Sequence, residues 1–315
     1  MNEPYTLQDA AYAAARWGSY LTTFLVLGAG SYAPFLFRSR AGIRATDPDL
    51  AGEISRRAAR IGLWSVLGLL GFHAVRLYLQ SRSLLDPADP LTAEFLRAVI
   101  GSGWGKGWLR QLLIALIAMI GFVGATRGSR IGWMLAAAAG GGAALVAGMT
   151  GHAATERSGP GGMLLDAAHV LAGGLWLGGL AVMLAAGMGA CRSRPAERRP
   201  ALLRALVADF SRRALVLGPV AIGLGVWLAA RYLGWGWPLH LLETGYGKTL
   251  GVKLLCLAGV AVLGAWNWRV VQPALAEPAG EGRLRKSGRL ELILGLCLLA
   301  ATAVMVALPL PGDEM

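Results

Sequence analysis

Long apolar runs separated by short polar connections dominate the chain, at roughly 16–37, 61–80, 108–126, 132–150, 164–190, 214–233, 249–267 and 290–308. Each is close to the roughly 20 apolar residues a helix needs to cross a hydrocarbon core of about 30 Å. The pattern predicts an all-α polytopic membrane protein with about eight transmembrane helices, for which the lipid bilayer is a partner by necessity.

A second pattern is internal repetition. SRRA at 55–58 returns at 211–214, each time opening a hydrophobic span that ends near an arginine, Arg76 or Arg231. GSGWGKGWLRQLL at 101–113 returns as ETGYGKTLGVKLL at 243–255, which brings Gln111 into register with Lys253, and RSR at 38–40 returns at 192–194. A unit with an even number of spans re-enters the membrane in the same orientation, so the expectation is two parallel four-helix repeats about an axis along the membrane normal. Residues 1–150 would form the first repeat, 151–163 an outer loop with a candidate metal site, and 164–315 the second repeat. The small-residue runs AAAAGGGAA at 136–144 and GGLWLGGL at 173–180 predict close backbone approach between helices.

Composition agrees, with 55% hydrophobic residues and a mean hydropathy of +0.53. A net charge of +12 invites a nucleic-acid reading, but the distribution of charge opposes it. Twenty of the 30 Lys and Arg residues fall in the connections after the first, third, fifth and seventh spans. By the positive-inside rule those connections face the cytoplasm, and both termini lie in the periplasm. The expectation is a multi-pass inner-membrane protein with no nucleic-acid partner. The N-terminal MNEPYTLQDAAYAA lacks a basic n-region, so the first span is expected to act as the insertion signal. Three cysteines, Cys191, Cys256 and Cys297, offer no disulfide framework. Cys256 and Cys297 are expected to differ in depth by roughly 10 Å. GYGKT at 245–249 ends like a phosphate loop but lacks the upstream glycine and a preceding strand.

The four histidines, His73, His152, His169 and His240, all sort to the outer side of this topology. His152 closes the fourth span and His169 lies in the first turns of the fifth, with SGPGG at 158–162 expected to reverse the chain between them. Asp166 lies three residues before His169 on the same helical face, where a carboxylate can orient a ligating imidazole. Met163 and Met149 lie three residues before Asp166 and His152. Imidazole with thioether suits copper better than magnesium or calcium. The candidate metal ligands are therefore His152, His169, Asp166, Met149, Met163 and His73, and the cofactor expected is a copper ion. The plainer alternative makes the histidines interfacial or helix-bridging residues and the methionines packing residues.

The order of motifs resembles the CopD family of bacterial copper resistance membrane proteins. The likeness is closest over 204–308, where SRRALVLGPVAIGLGVWLAARYL, TGYGKTLGVKLL, WNWR and KSGRLELILGL follow one another, and it extends upstream through GHAA and AAHVLAGGLWLGGL. The resemblance implies an eight-span inner-membrane protein, not an enzyme, that moves copper from periplasm toward cytoplasm in copper resistance or homeostasis. It also implies a separate small periplasmic copper carrier as partner, and it carries over His152 and His169 as candidate ligands. A different class, a b-type haem electron-transfer protein, requires His73 and His169 at matching depth; the chain lacks paired histidines deep in facing spans. A structural membrane subunit would bind neither copper nor haem.

Overall fold

The computed structural model describes residues 7–33, 42–148, 159–277 and 280–308, and among these there are helices and no strand. Seven helical stretches are long and apolar enough to cross a membrane. Together with the N-terminal helix they define eight long elements. These are α1 (Leu7–Gly30), α2 (Pro48–Arg82), α3 (Gly103–Thr126), α4 (Arg130–Gly148), α5 (from Gly159 to Cys191), α6 (Arg199–Leu233), α7 (Gly245–Trp266) and α8 (Gly280–Met305). α1 corresponds to the expected first span; at 24 residues it is about 36 Å long, enough to cross the hydrocarbon core.

Three starts differ from the hydrophobic pattern. α2 begins at Pro48, well before residue 61, because Asp47 caps it by accepting from the Leu50 N–H at 2.8 Å and Pro48 supplies a preset first turn. α6 begins at Arg199, also with Pro at its first turn, well before residue 214. SRRA therefore lies inside each helix and does not open it. α5 begins at Gly159, so 159–162 of the expected turn and 159–163 of the expected outer loop are helical. Pro160 belongs naturally in a first helical turn, where its missing N–H has no partner to lose.

Neighbouring helices alternate in direction, giving the bundle two faces. One carries the N-terminal ends of α1, α3, α5 and α7; the other carries the arginine-rich connections. The arginine-rich face is tied by ion pairs from Arg194 to Asp47 (3.7 Å) and Glu53 (3.6 Å) and from Arg192 to Glu281 (2.7 Å). Asp209 accepts from the Ile43 N–H at 2.7 Å, joining α6 to the short helix Ile43–Thr46. Beneath these contacts Leu50, Ile54, Leu206, Leu275 and Leu284 form one of two large buried clusters.

In packing, α1 lies on α2, and α5 on α6; α3 lies on α4, and α7 on α8. α4 also packs on α5, and α8 on α1. The centre is the crossing of α1 with α5, where a side chain on Gly28 would strike the Gly178 backbone and one on Gly178 the Phe24 carbonyl. The run 173–180 thus does what its composition predicts, bringing two backbones into contact. Gly174–Gly178 and Met183–Gly187 are π-helical turns within α5. Large apolar residues such as Trp64, Ile131 and Leu255 point outward, 70–75% exposed, as a lipid-facing surface requires.

Candidate functional site

A cavity of about 300 Å³ lies inside the bundle, and each of the eight long helices contributes to its wall. Most of the lining is apolar, as in Leu69, Ile114, Ala118, Val170 and Leu299. Set into it is a polar layer: Arg16 and Tyr20 from α1, His73 and Arg76 from α2, Gln111 from α3, Asp166 and His169 from α5, and Lys253 from α7. At 1.5 Å per residue these lie about 9–20 Å from the helix ends on the N-terminal face. Helices of alternating direction therefore bring residues far apart in sequence to one depth.

The side chains of the layer lie within electrostatic reach of one another. Arg76 donates to the Gln111 side-chain oxygen at 3.1 Å. Tyr20 lies within electrostatic reach of Arg16, Arg76 and Asp166. Lys253 acts in turn on both Asp166 and His169. The α2 wall is held in place by Trp108, whose indole N–H donates to the His73 carbonyl at 2.9 Å.

His169 is fixed by a single defining contact, 2.8 Å from its Nδ1 to the Ala221 carbonyl of α6. A carbonyl only accepts, so Nδ1 carries the proton; in the neutral ring Nε2 then keeps its lone pair, the form that binds a metal. Asp166 was expected to orient this ring. The Ala221 carbonyl takes the orienting role instead, and Asp166 lies within electrostatic reach of Lys253. His73 is 3% exposed, lines the opposite wall of the same cavity, and its Nδ1 has no hydrogen-bond partner among the described residues.

Of the other candidate ligands, His152 and Met149 lie outside the described residues, as does most of the loop between α4 and α5. Met163 is half-buried near the start of α5 and does not line the cavity. Among the described residues, no group of three or more His, Cys, Asp and Glu side chains is arranged to hold a metal. Cys256 and Cys297 are not at the separate depths expected. α8 runs toward the N-terminal face, so Cys297 lies in its outer half, close enough to Cys256 for the two to interact electrostatically. Their side chains remain free thiols. Trp237 lines the cavity with Tyr246.

Charge within an apolar span is the sequence signal that marks the other members of the layer. Arg16, Arg76 and Lys253 interrupt apolar runs, and an ionisable group inside the membrane marks a pathway or ligand site by default.

Two family descriptions match the chain: "Copper resistance protein D-like, N-terminal domain" over residues 7–163, and "Copper resistance protein D" over residues 204–305. No curated protein and no solved structure matches it. The two matches take in α1 to α4 and nearly all of α6 to α8, and so most of the helices that wall the cavity. They support a copper-related membrane function and lend nothing to the haem alternative. Motif order, helical architecture and both matches lead to one conclusion: the chain belongs to the copper resistance protein D family of membrane proteins.

Proposed function

We propose that this protein carries copper from the periplasm toward the cytoplasm across the inner membrane, entering at the N-terminal face through the central cavity. The observation that carries the reading is the position of His169: its Nδ1 is committed to the Ala221 carbonyl, and its ring lines a cavity shared by all eight helices of a copper resistance family member. An imidazole held in this tautomer suits copper. His152, with Met149 or Met163 as a softer ligand, would receive the ion at the entrance and pass it to His169, with Asp166 as the nearby carboxylate. A separate small periplasmic carrier would deliver the metal.

The paired packing of α1 on α2 and α5 on α6, with α4 on α5 answered by α8 on α1, supports two parallel four-helix repeats related about the membrane normal. Both termini are assigned to the periplasm by the charge pattern. Uptake of radioactive copper into vesicles of known orientation tests transport and direction together. Faster uptake from the N-terminal face than in protein-free vesicles is expected; equal rates overturn the reading.

A further inference from the structure

The lining of the cavity carries three basic side chains, Arg16, Arg76 and Lys253, against one acidic side chain, Asp166. Asp166 lies within electrostatic reach of both Lys253 and Tyr20, so one carboxylate faces three cationic side chains, two of them guanidinium groups on the α1–α2 wall. On that wall three nitrogens are buried without a hydrogen-bond partner among the described residues: Arg16 Nη1, Arg76 Nε and His73 Nδ1. All three residues line the same cavity. Buried polar groups are ordinarily satisfied, and each exception calls for an explanation. Two like charges in a hydrocarbon-depth layer also demand compensation.

The local contacts do not supply it. Arg16 lies 5.0 Å from the centre of the Tyr12 ring, and a ring face is a weak counter-charge. Among the described residues, Arg76 donates from Nη1 only to a neutral amide, that of Gln111. Tyr20, which both arginines approach, has a hydroxyl that is neutral under ordinary conditions.

We infer that the α1–α2 wall of the cavity is a binding site for a small organic carboxylate, whose oxygens accept from Arg16 and Arg76 while His73 Nδ1 donates beside them. Guanidinium donors match a planar two-oxygen acceptor better than they match a point charge. Leu69, Ile114, Ala115 and Ala118 on the same side of the cavity offer its carbon body an apolar bed. A volume of about 300 Å³ is at the small end of ligand pockets, which suits a single small acid. For transport this has a direct consequence. A bare copper ion entering the layer meets net positive charge, whereas copper accompanied by a carboxylate does not.

The test uses full-length protein in phosphatidylcholine nanodiscs, without copper, titrated with benzoate and with its uncharged isostere benzamide. Benzoate is expected to bind at least tenfold more tightly than benzamide. Arg16→Gln and Arg76→Gln should each weaken benzoate at least tenfold, and Arg76→Lys should weaken it less than Arg76→Gln. Equal binding of benzoate and benzamide to the unaltered protein overturns the proposal, even if no variant folds. Benzoate affinity unchanged in both Gln variants overturns it as well. Copper uptake into vesicles is then measured with and without benzoate. Benzoate binding without copper uptake in either condition refutes the transport reading alone. Copper uptake by a protein that does not distinguish benzoate from benzamide refutes the carboxylate site alone.

Discussion

The tautomer of His169 is the sharpest feature at the scale of single residues, because a hydrogen bond to a backbone carbonyl fixes it independently of any neighbouring side chain. Replacing either His152 or His169 by alanine should abolish copper binding while leaving expression intact, and His240→Ala should have little effect. Calorimetric titration of the His152→Ala, His169→Ala double variant decides the matter, since unchanged copper affinity would leave two interfacial histidines as the better description. A second buried polar contact, on the other side of the bundle, is structural. Glu291 on α8 is 5% exposed and accepts from the Asn267 side-chain amide at 2.6 Å, bridging α8 to the π-helical turn Asn267–Val271 that follows α7. Asn267→Ala removes the donor and leaves a buried carboxyl without it, at a cost of about 1–3 kcal/mol. Thermal unfolding in detergent should show the loss, with benzoate and copper binding at the distant cavity unaffected.

At the scale of helices, the α1–α5 crossing depends on the absence of side chains. Gly28 and Gly178 face one another's backbone so closely that a single Cβ at either position must push the helices apart. Without a hydrophobic drive between helices in lipid, close backbone packing is a main source of association. Gly178→Val is therefore expected to destabilise the fold by about 1–3 kcal/mol, the usual cost of overpacking. Gly223→Val, where a side chain would meet only open space, should be nearly neutral. Comparing the two melting midpoints tests the claim, and equal midpoints would show that the crossing is not a tight constraint. The π-helical turn Gly174–Gly178 follows His169 within the same helix and carries Trp176 and Leu177 on the cavity wall. The widened turn changes which side chains α5 presents there.

For the molecule as a whole, charge separates the two faces: an arginine-rich face tied by ion pairs to Asp47, Glu53 and Glu281, and a face on which the α1, α3, α5 and α7 helices begin. The positive-inside rule assigns the first of these to the cytoplasm. Reporter fusions after Arg199 should be active only as cytoplasmic reporters, and fusions after Asp86 only as periplasmic ones. The reverse result would invert the topology and move the proposed copper entrance to the other side of the membrane.

The sequence by itself determined the helical membrane class, seven of the eight long apolar elements and the small-residue crossing, because each depends on composition and period within one segment. It also singled out His169 and His73, since a histidine within an apolar span is conspicuous wherever the helix packs. What the spacing could not decide was partnership. Asp166 and His169 are three apart on one helix, yet packing against α6 gives the ring to the Ala221 carbonyl, while Asp166 lies within electrostatic reach of Lys253 on α7. The spacing of Cys256 and Cys297 is silent for a related reason: their relative depth depends on where α7 and α8 begin and end and on their antiparallel packing. The gathering of Arg16, Arg76, Gln111 and Lys253 into one layer with the two histidines belongs wholly to tertiary structure. Five helices, one of them antiparallel to the other four, must place their polar residues at similar depth, and that match is set by helix ends and packing that no single segment encodes.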